Sequence, residues 1–281
     1  MDITGKTVVL TGASGGIGTF MARALAKEQA TVVCIARSPE ALTETCAEVE
    51  ALGGKSICIP FDLSKLADLS ELVAQIHQLA GSVDILINNA AREKFRPFQD
   101  YTLEDIQSIL TLNLHVPMEL TRLLLPSMLE RNQGYIVNIA SGAGKKGAPF
   151  DSIYSASKAG LINWSEAIRY ELATTNIGVS VICPGYTNAG MFLALDNPAP
   201  KGAKIAEPTE VADVVVQAIK QNKKEVILDG LTLKLFYAVS QVFPEVGDAI
   251  MHSSGAVTNN YNCAQKQMQT AGQKQVHHAP Q

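Results

Sequence analysis

The sequence predicts an α/β protein: a single doubly wound domain on a seven-stranded parallel sheet, followed by a C-terminal helical extension. Short runs rich in Val and Ile recur along the chain, and the segments between the first six are helix-sized. A parallel sheet covered on both faces reads in this way. The chain has 281 residues, 47% of them hydrophobic and 18% charged. That length and balance fit one large core-forming domain and exclude disorder for most of the chain.

The expected strands are Thr7 to Leu10, Thr31 to Ile35, Ser56 to Pro60, Ile85 to Asn88, Tyr135 to Ile139, Gly178 to Cys183 and Glu225 to Leu228. Directly after the first comes Thr11-Gly12-Ala13-Ser14-Gly15-Gly16-Ile17-Gly18, opening a helix to about Lys27. A glycine-rich turn between strand and helix lets backbone N–H groups and the helix N-terminus approach a pyrophosphate. Thr102, with Asp105 three residues on, starts a helix expected over Leu103 to Arg131; further helices are expected over Tyr154 to Ala173 and Glu210 to Gln221, the last preceded by Thr209. After the seventh strand, Leu235, Phe236, Val239, Val242 and Phe243 form one apolar helical face ending before Pro244. Such a stripe can cap the substrate cleft, pack on another subunit or touch a membrane surface, and core or subunit packing is its commonest fate. From Cys263 to Gln281 the chain is Gln-rich with few large apolar residues and reads as a disordered tail. The domains are therefore 1–228 (catalytic), 229–262 (helical extension) and 263–281 (tail).

A formal net charge of −4 gives no general attraction to nucleic acid or anionic lipid. Lys234 alone adds too little positive charge for the C-terminal helix to favour a membrane surface. The start lacks a signal-peptide pattern, and no stretch reaches the roughly 18 apolar residues of a membrane span. A cytoplasmic location is expected. Five cysteines without C-x-x-C, three of them (Cys34, Cys58 and Cys183) inside apolar runs, suggest thiols in a reducing compartment, with no disulfide and no metal site. His277 and His278 in the tail carry no metal reading, and His115 is expected to be a satisfied interior histidine.

Tyr154 and Lys158 stand four apart at a helix start, so both lie on one face. A free Tyr, with a pKa of about 10, is a poor acid–base catalyst at neutrality, and a nearby ammonium favours the phenolate. Ser141 closes the fifth strand, where open α/β sheets place their ligands, and its hydroxyl can polarise a carbonyl. At the end of the second strand, Ala36 stands where a Rossmann-type site for NAD carries an acid, and Arg37 follows. A guanidinium there, with the Ser38 hydroxyl, suits the 2′-phosphate of NADP, and the cofactor expected is NADP rather than NAD. A solvated surface Arg is the plain alternative.

The spacing T-G-x-x-x-G-x-G at Thr11 to Gly18, with Asn88-Asn89-Ala90-Ala91, Ser141 and Tyr154-x-x-x-Lys158, closely resembles the short-chain dehydrogenase/reductase family from about Lys6 to Leu228. The resemblance implies an NADP(H)-dependent oxidoreductase acting on CH–OH groups. Tyr154 would pass the proton, Ser141 orient the substrate oxygen, Lys158 also hold the nicotinamide ribose, and Asn113 position a water beside Lys158. It also implies cofactor contacts at Thr11, Gly12, Ser14, Gly16, Ile17, Gly18, Asp62, Leu63, Asn89, Ala90, Pro184, Gly185 and Thr187. Asp62 would bond the adenine amine, although an Asp there also makes a plain turn. The chain departs from the family at Ala91, in place of Gly, and at Ala189, in place of a cofactor-contacting Thr.

Substrate determinants are expected in Gly142 to Ile153 and Ala189 to Ala206. Met191, Phe192, Leu193 and Leu195 look like a lid over an apolar or lipid-like substrate, and Lys145 and Lys146 are the candidates to attract an acidic carrier or carboxylate. Reduction of a 3-oxoacyl group on a carrier protein is the alternative enzyme reading. A non-catalytic dinucleotide-binding sensor or scaffold is the alternative of another class. Apolar residues beyond one sheet-facing stripe (Leu120, Leu123, Leu124, Leu125, Leu161, Ile162 and Trp164) predict a homodimer or homotetramer paired through these helices.

Overall fold

The computed structural model describes residues 1–195, 199 and 203–276. Strands β1 (Thr7–Thr11), β2 (Thr31–Ala36), β3 (Lys55–Pro60), β4 (Ile85–Asn88), β5 (Gly134–Ile139) and β6 (Ile177–Cys183) are followed by β7 (Tyr186–Thr187), β8 (Ile205–Ala206) and β9 (Glu225–Ile227). The main sheet runs β3-β2-β1-β4-β5-β6-β9, and β7 pairs only with β8. Every pairing is parallel; Val9 lies opposite Val33 on one side and Leu86 on the other. The strand order reverses between β1 and β4, and their carboxyl ends open the crevice where a doubly wound sheet binds ligands.

The helices are α1 (Ile17–Lys27), α2 (Pro39–Ala51), α3 (Leu69–Ala80), α4 (Leu103–Leu110), α5 (Val116–Glu130), α6 (Ser152–Glu171), α7 (Gly190–Ala194), α8 (Pro208–Gln221), α9 (Leu231–Val242), α10 (Pro244–Ser253) and α11 (Ala256–Val276). Alternation along each strand builds two cores. Val8, Leu10, Ile85 and Ile87 pack with Met21, Leu25, Val215 and Ile219 on one face. Val9, Leu86, Ile136 and Val179 pack with Leu72, Ile76, Leu120 and Ile168 on the other. Each fully buried Leu, Ile or Val contributes about 1.5–3 kcal/mol, so both faces of the sheet hold it together.

The structure corrects several expectations. The helix expected over Leu103 to Arg131 is two helices, α4 and α5, joined by a π-helical turn at Thr111–His115. Pro117 cannot donate the N–H that an α-helix would send to the Asn113 carbonyl, so the ladder rearranges there. Helix α8 starts at Pro208, which needs no hydrogen bond at that position. His115 is exposed rather than interior.

Further corrections concern the cysteines and the C-terminal segment. Cys46 and Cys58 are joined as a disulfide, their Cα atoms 6.5 Å apart, because α2 lies directly along edge strand β3. Cys58 is exposed on that edge, whereas Cys34, Cys183 and Cys263 are buried thiols. The tail expected from Cys263 is instead helix α11 as far as Val276, with Cys263 and Ala264 buried against Phe95. Residues 277–281, including His277 and His278, lie outside the described residues, as do 196–198 and 200–202 of the expected lid. The apolar stripe along α9 is only partly covered: Leu235, Val242 and the following Phe243 are exposed, whereas Phe236 and Val239 are half-buried. The Tyr237 hydroxyl donates to Asp229 (2.9 Å) beside Gly142, and Ser240 lies against Gly247 of α10, so the polar side of α9 faces the domain and the next helix. Leu120, Leu124 and Leu161 are buried inside the protomer, which leaves a smaller apolar surplus for a partner. Among the described residues, no helix is long and apolar enough to cross a membrane.

Candidate active site

The glycine turn sits at the sheet's switch point and is tied to β4. Asn89 Nδ2 donates to the carbonyls of Thr11 (3.0 Å) and Gly12 (3.1 Å), and the N–H groups of Asn89 and Ala90 donate to Thr11 Oγ1 (2.9 and 3.1 Å). Thr11, Asn89 and Ala90 therefore clamp the crevice walls together. Gly12 has φ +67, and a Cβ there would come 2.9 Å from Ala90 Cα; a Cβ on Gly18 would overlap the Gly12 carbonyl oxygen. Gly16 caps α1 without any side-chain hydrogen bond, and Ile17 is its first residue. No side chain of the cap satisfies the first N–H groups of α1, and Ser14 borders them. The cradle fits a pyrophosphate.

Arg37 and Ser38 stand exposed where β2 ends. Ser38 is a helix cap: its Oγ accepts from Ala41 N (3.3 Å) and donates to Glu40 (3.0 Å), with Pro39 behind it. Asp62 makes the turn that was its alternative reading, Oδ1 accepting from Ser64 N (3.1 Å) and Oγ (2.8 Å). Those bonds, with the Arg37 charge nearby, hold its carboxyl below the ordinary Asp value despite partial burial. Leu63 is a buried core residue. Ala91 does not have a positive φ, so its difference from the family's Gly costs no backbone strain.

The structure brings Ser141, Tyr154 and Lys158 together. Ser141 follows β5 and caps a short turn, its Oγ accepting from Ala143 N (3.1 Å). Tyr154 and Lys158 sit one turn apart on α6, the ammonium 5.5 Å from the Tyr154 ring centroid and donating to the Ile139 carbonyl (2.8 Å). Burial pushes the Tyr154 phenol well above its ordinary pKa, with Glu93 and Asp151 adding to the rise and Ser141 opposing it. Burial also lowers Lys158 to about 8. Desolvation is the largest influence on both groups in this arrangement.

Several supports were invisible in the motifs. Asn88 Nδ2 donates to Asn138 Oδ1 (2.8 Å), and Asn138 Nδ2 donates to Ser165 on α6 (2.8 Å), so β4, β5 and α6 share one buried polar chain. Asn113, fully buried on the π-turn, donates to Ser157 Oγ (3.0 Å), which donates to the Tyr154 carbonyl (2.6 Å). On the other side, Pro184 accepts from Gly142 N (2.9 Å), Gly185 lies against Asp229, and Thr187 Oγ1 reaches the Gly185 carbonyl (3.4 Å).

The extension covers this end of the crevice. Asn260 Nδ2 donates to the Pro149 carbonyl (3.0 Å) and Gln267 Oε1 accepts from Phe95 N (3.0 Å). From the lid, Phe192 meets Tyr186 edge-on (5.4 Å) and Leu195 joins the apolar cluster of Phe95, Cys263 and Ala264. Lys145 and Lys146 are engaged instead by Glu225 (2.7 Å) and Asp248 (3.0 Å). Glu93 and Asp151 are further residues that the motifs did not single out. Only their spacing, four residues after Asn89 and three before Tyr154, could have flagged them.

Fold and grouping together define the class: an α/β oxidoreductase with a dinucleotide cradle. The description "short chain dehydrogenase" matches residues 6–198. Ketoacyl reductase HetN of Nostoc sp. (strain PCC 7120 / SAG 25.82 / UTEX 2576) is 52% identical over 273 residues, covering 95% of both chains. Among solved structures, a variant of actinorhodin polyketide ketoreductase with NADPH has a TM-score of 0.75 at 30% identity, covering 80% of this chain and 95% of that one. A metagenomic short-chain oxidoreductase in complex with NADP has a TM-score of 0.71 at 30% identity, covering 81% and 97%. The chain belongs to the short chain dehydrogenase family and is an enzyme, so the scaffold alternative falls away.

Proposed function

We propose that this protein is an NADP(H)-dependent oxidoreductase that interconverts a carbonyl and a secondary alcohol on an apolar or lipid-like substrate. The observation that carries the reading is Ser141, Tyr154 and Lys158 meeting at the end of β5, alongside the glycine cradle. When bound, the dinucleotide supplies or accepts the hydride. Gly12, Gly16 and Gly18 admit its pyrophosphate, Arg37 meets the 2′-phosphate, Asp62 and Leu63 border the adenine, and Pro184, Gly185 and Thr187 face the nicotinamide. The NADP-bound and NADPH-bound relatives support that choice of cofactor.

Ser141 Oγ holds the substrate oxygen, and Tyr154 Oη donates a proton to it in reduction or takes one in oxidation. The Lys158 ammonium opposes the burial that keeps the phenol protonated. Asn113 braces α6 through Ser157, which holds Tyr154 at a constant depth. The apolar contacts of Phe192 and Leu195 support exclusion of water over this chemistry. A cytoplasmic homodimer or homotetramer is part of the same reading.

The 52% identical ketoacyl reductase favours a second reading, reduction of a 3-oxoacyl thioester on a carrier. Against carrier docking at Lys145 and Lys146 stands their pairing with Glu225 and Asp248. NADPH oxidation measured with ketolipids, simple ketones and 3-oxoacyl thioesters, free or carrier-bound, separates the two. Turnover of free ketolipid supports the first reading, turnover confined to carrier thioesters supports the second, and no NADPH oxidation with any of them overturns both.

A further inference from the structure

Two turns carry the proposed chemistry, and one buried acid lies against both. Ser141 and Gly142 follow β5, and Pro184 and Gly185 follow β6. These strands are neighbours, with Ile139 opposite Ile182, and Gly142 N donates to the Pro184 carbonyl at 2.9 Å. Asp229 stands two residues beyond β9, the strand on the other side of β6, and is 6% exposed.

Neither glycine has a positive φ, so the backbone does not require glycine at either place. Room for the acid does. A Cβ on Gly185 would lie 2.1 Å from Asp229 Oδ1, and one on Gly142 would lie 3.2 Å from Asp229 Oδ2 and 2.4 Å from Tyr237 Oη. One carboxylate oxygen therefore stands against each turn. The Tyr237 hydroxyl donates to Oδ2 at 2.9 Å and supplies a hydrogen bond that the buried carboxyl needs.

The same contacts orient α9. An amphipathic helix ordinarily buries its apolar stripe, yet Leu231, Leu235 and Val242 are exposed, and the polar side of the helix lies along the turn after Ser141. Tyr237 meets Gly142, and one helical turn on, Gln241 Nε2 donates to the Lys145 carbonyl at 3.1 Å. From α10, Asp248 pairs with Lys146 at 3.0 Å. Packing alone favours the reverse arrangement, with the stripe inward and the polar side in water. A helix held the other way round, through a buried acid beside the site, points to a task for that acid.

We propose that Asp229 and Tyr237 are positioning residues: their hydrogen-bonded pair fixes the Ser141 turn against the Pro184-Gly185 turn, and so sets the hydroxyl that holds the substrate oxygen at a constant distance from the nicotinamide face. The inference rests on the reading of Ser141 as the oxygen holder and of the Gly185 turn as that face. Asp229 Oδ1 is a stop for one turn and Tyr237 Oη a stop for the other, and the bond between the two side chains makes the stops one unit. Reacting atoms must approach to about 3–3.5 Å, and a displacement of about 1 Å from a remote substitution can cost a hundredfold in rate. Through this pair the C-terminal extension becomes part of the active site.

The test is a double-mutant cycle on the full chain, read both by NADPH-dependent reduction of the carbonyl compound that the wild type turns over and by urea denaturation without cofactor. Tyr237→Phe keeps the ring and removes the hydroxyl, so kcat should fall about tenfold to a hundredfold while the KM for NADPH changes little. A residue that only held the fold together would lower the urea midpoint and leave the kcat of the folded enzyme alone. Asp229→Asn keeps an acceptor for the hydroxyl and should retain more of kcat than Tyr237→Phe does. Gly142→Ala drives a methyl onto Tyr237 Oη and should lower both kcat and the urea midpoint; in the Tyr237→Phe background, where that oxygen is gone, most of its further effect should vanish. A folded Tyr237→Phe protein with kcat within about twofold of the wild type overturns the proposal, and so do losses that simply add. If Tyr237→Phe does not fold, an unchanged kcat in Gly142→Ala overturns it. If the wild type reduces no carbonyl, the assigned reaction fails; the urea cycle then decides the pair by itself, coupling supporting the joined stops and additivity overturning them.

Discussion

Asn113 grips Arg92 with both ends of its amide, Oδ1 accepting from Arg92 N at 2.7 Å and Nδ2 donating to the Arg92 carbonyl at 2.8 Å. The same Nδ2 donates to Ser157 at 3.0 Å, so one buried side chain joins the loop after β4 to helix α6. The π-turn presents it there, because Pro117 breaks the helical ladder at that point. Asn113→Ala should therefore lower stability by about 1–3 kcal/mol through unpaired buried groups and reduce kcat at the same time. Urea denaturation alongside steady-state rates checks both, and an unchanged midpoint and rate would show the clasp to be dispensable.

Tyr154→Phe should abolish useful turnover and spare the fold. The ring keeps its burial, and the bond from Ser157 to the Tyr154 carbonyl is a backbone contact that the substitution leaves intact. Removing a general acid–base group costs on the order of a hundredfold to ten-thousandfold in rate. NADPH affinity, followed by fluorescence titration, should change little. Near-full activity would reject the assigned proton transfer.

Arg37→Ala should weaken NADPH binding about tenfold or more and leave NADH nearly unchanged. A charge-assisted contact to the 2′-phosphate is worth roughly 1.5–3 kcal/mol. Ser38 is occupied in capping α2, which leaves Arg37 as the principal phosphate partner at the end of β2. Equal losses for both dinucleotides would make Arg37 structural.

Gly18→Ala and Gly15→Ala should behave oppositely. A methyl on Gly18 overlaps the Gly12 carbonyl, so the turn must shift, at a cost of about 1–3 kcal/mol and with loss of dinucleotide binding. A methyl on Gly15 meets nothing within 4 Å and should be tolerated. Thermal melts with and without NADPH distinguish them; a Gly18→Ala protein that is still stabilised normally by NADPH contradicts the cradle.

Light scattering at micromolar concentration should give two or four times the 30.0 kDa chain mass. Leu123, Leu125, Ile162 and Trp164 are only partly covered within the protomer, and they lie on the two helices expected to pair across a twofold. A fully active monomer would reject the assembly.

Much of this was legible in the chain. The inner strands are buried on both faces and carry Val- and Ile-rich runs, and all seven main-sheet strands, the more exposed edges β3 and β9 included, fall within a residue of their expected limits. Tyr154, Lys158 and Ser141 were legible because each pairs a local signal with a strand or helix end. Glu93 and Asp151 were not, since neither belongs to a motif and 58 positions separate the two acids that raise the Tyr154 phenol. The C-terminal helix was misjudged because its Gln-rich composition hides two small buried residues, Cys263 and Ala264, that seal against Phe95.

Sequence alone determined the layers of the fold, the glycine turn at its switch point and the kinds of side chain available for proton transfer, because these depend on periodicity and on neighbours a few residues apart. Tertiary structure alone decided which face of α9 turns inward, the pairing of Cys46 with Cys58, and the charge environment of Tyr154 and Lys158. Those outcomes rest on desolvation and on contacts between distant segments, and neither has a local pattern in the chain from which it could be read.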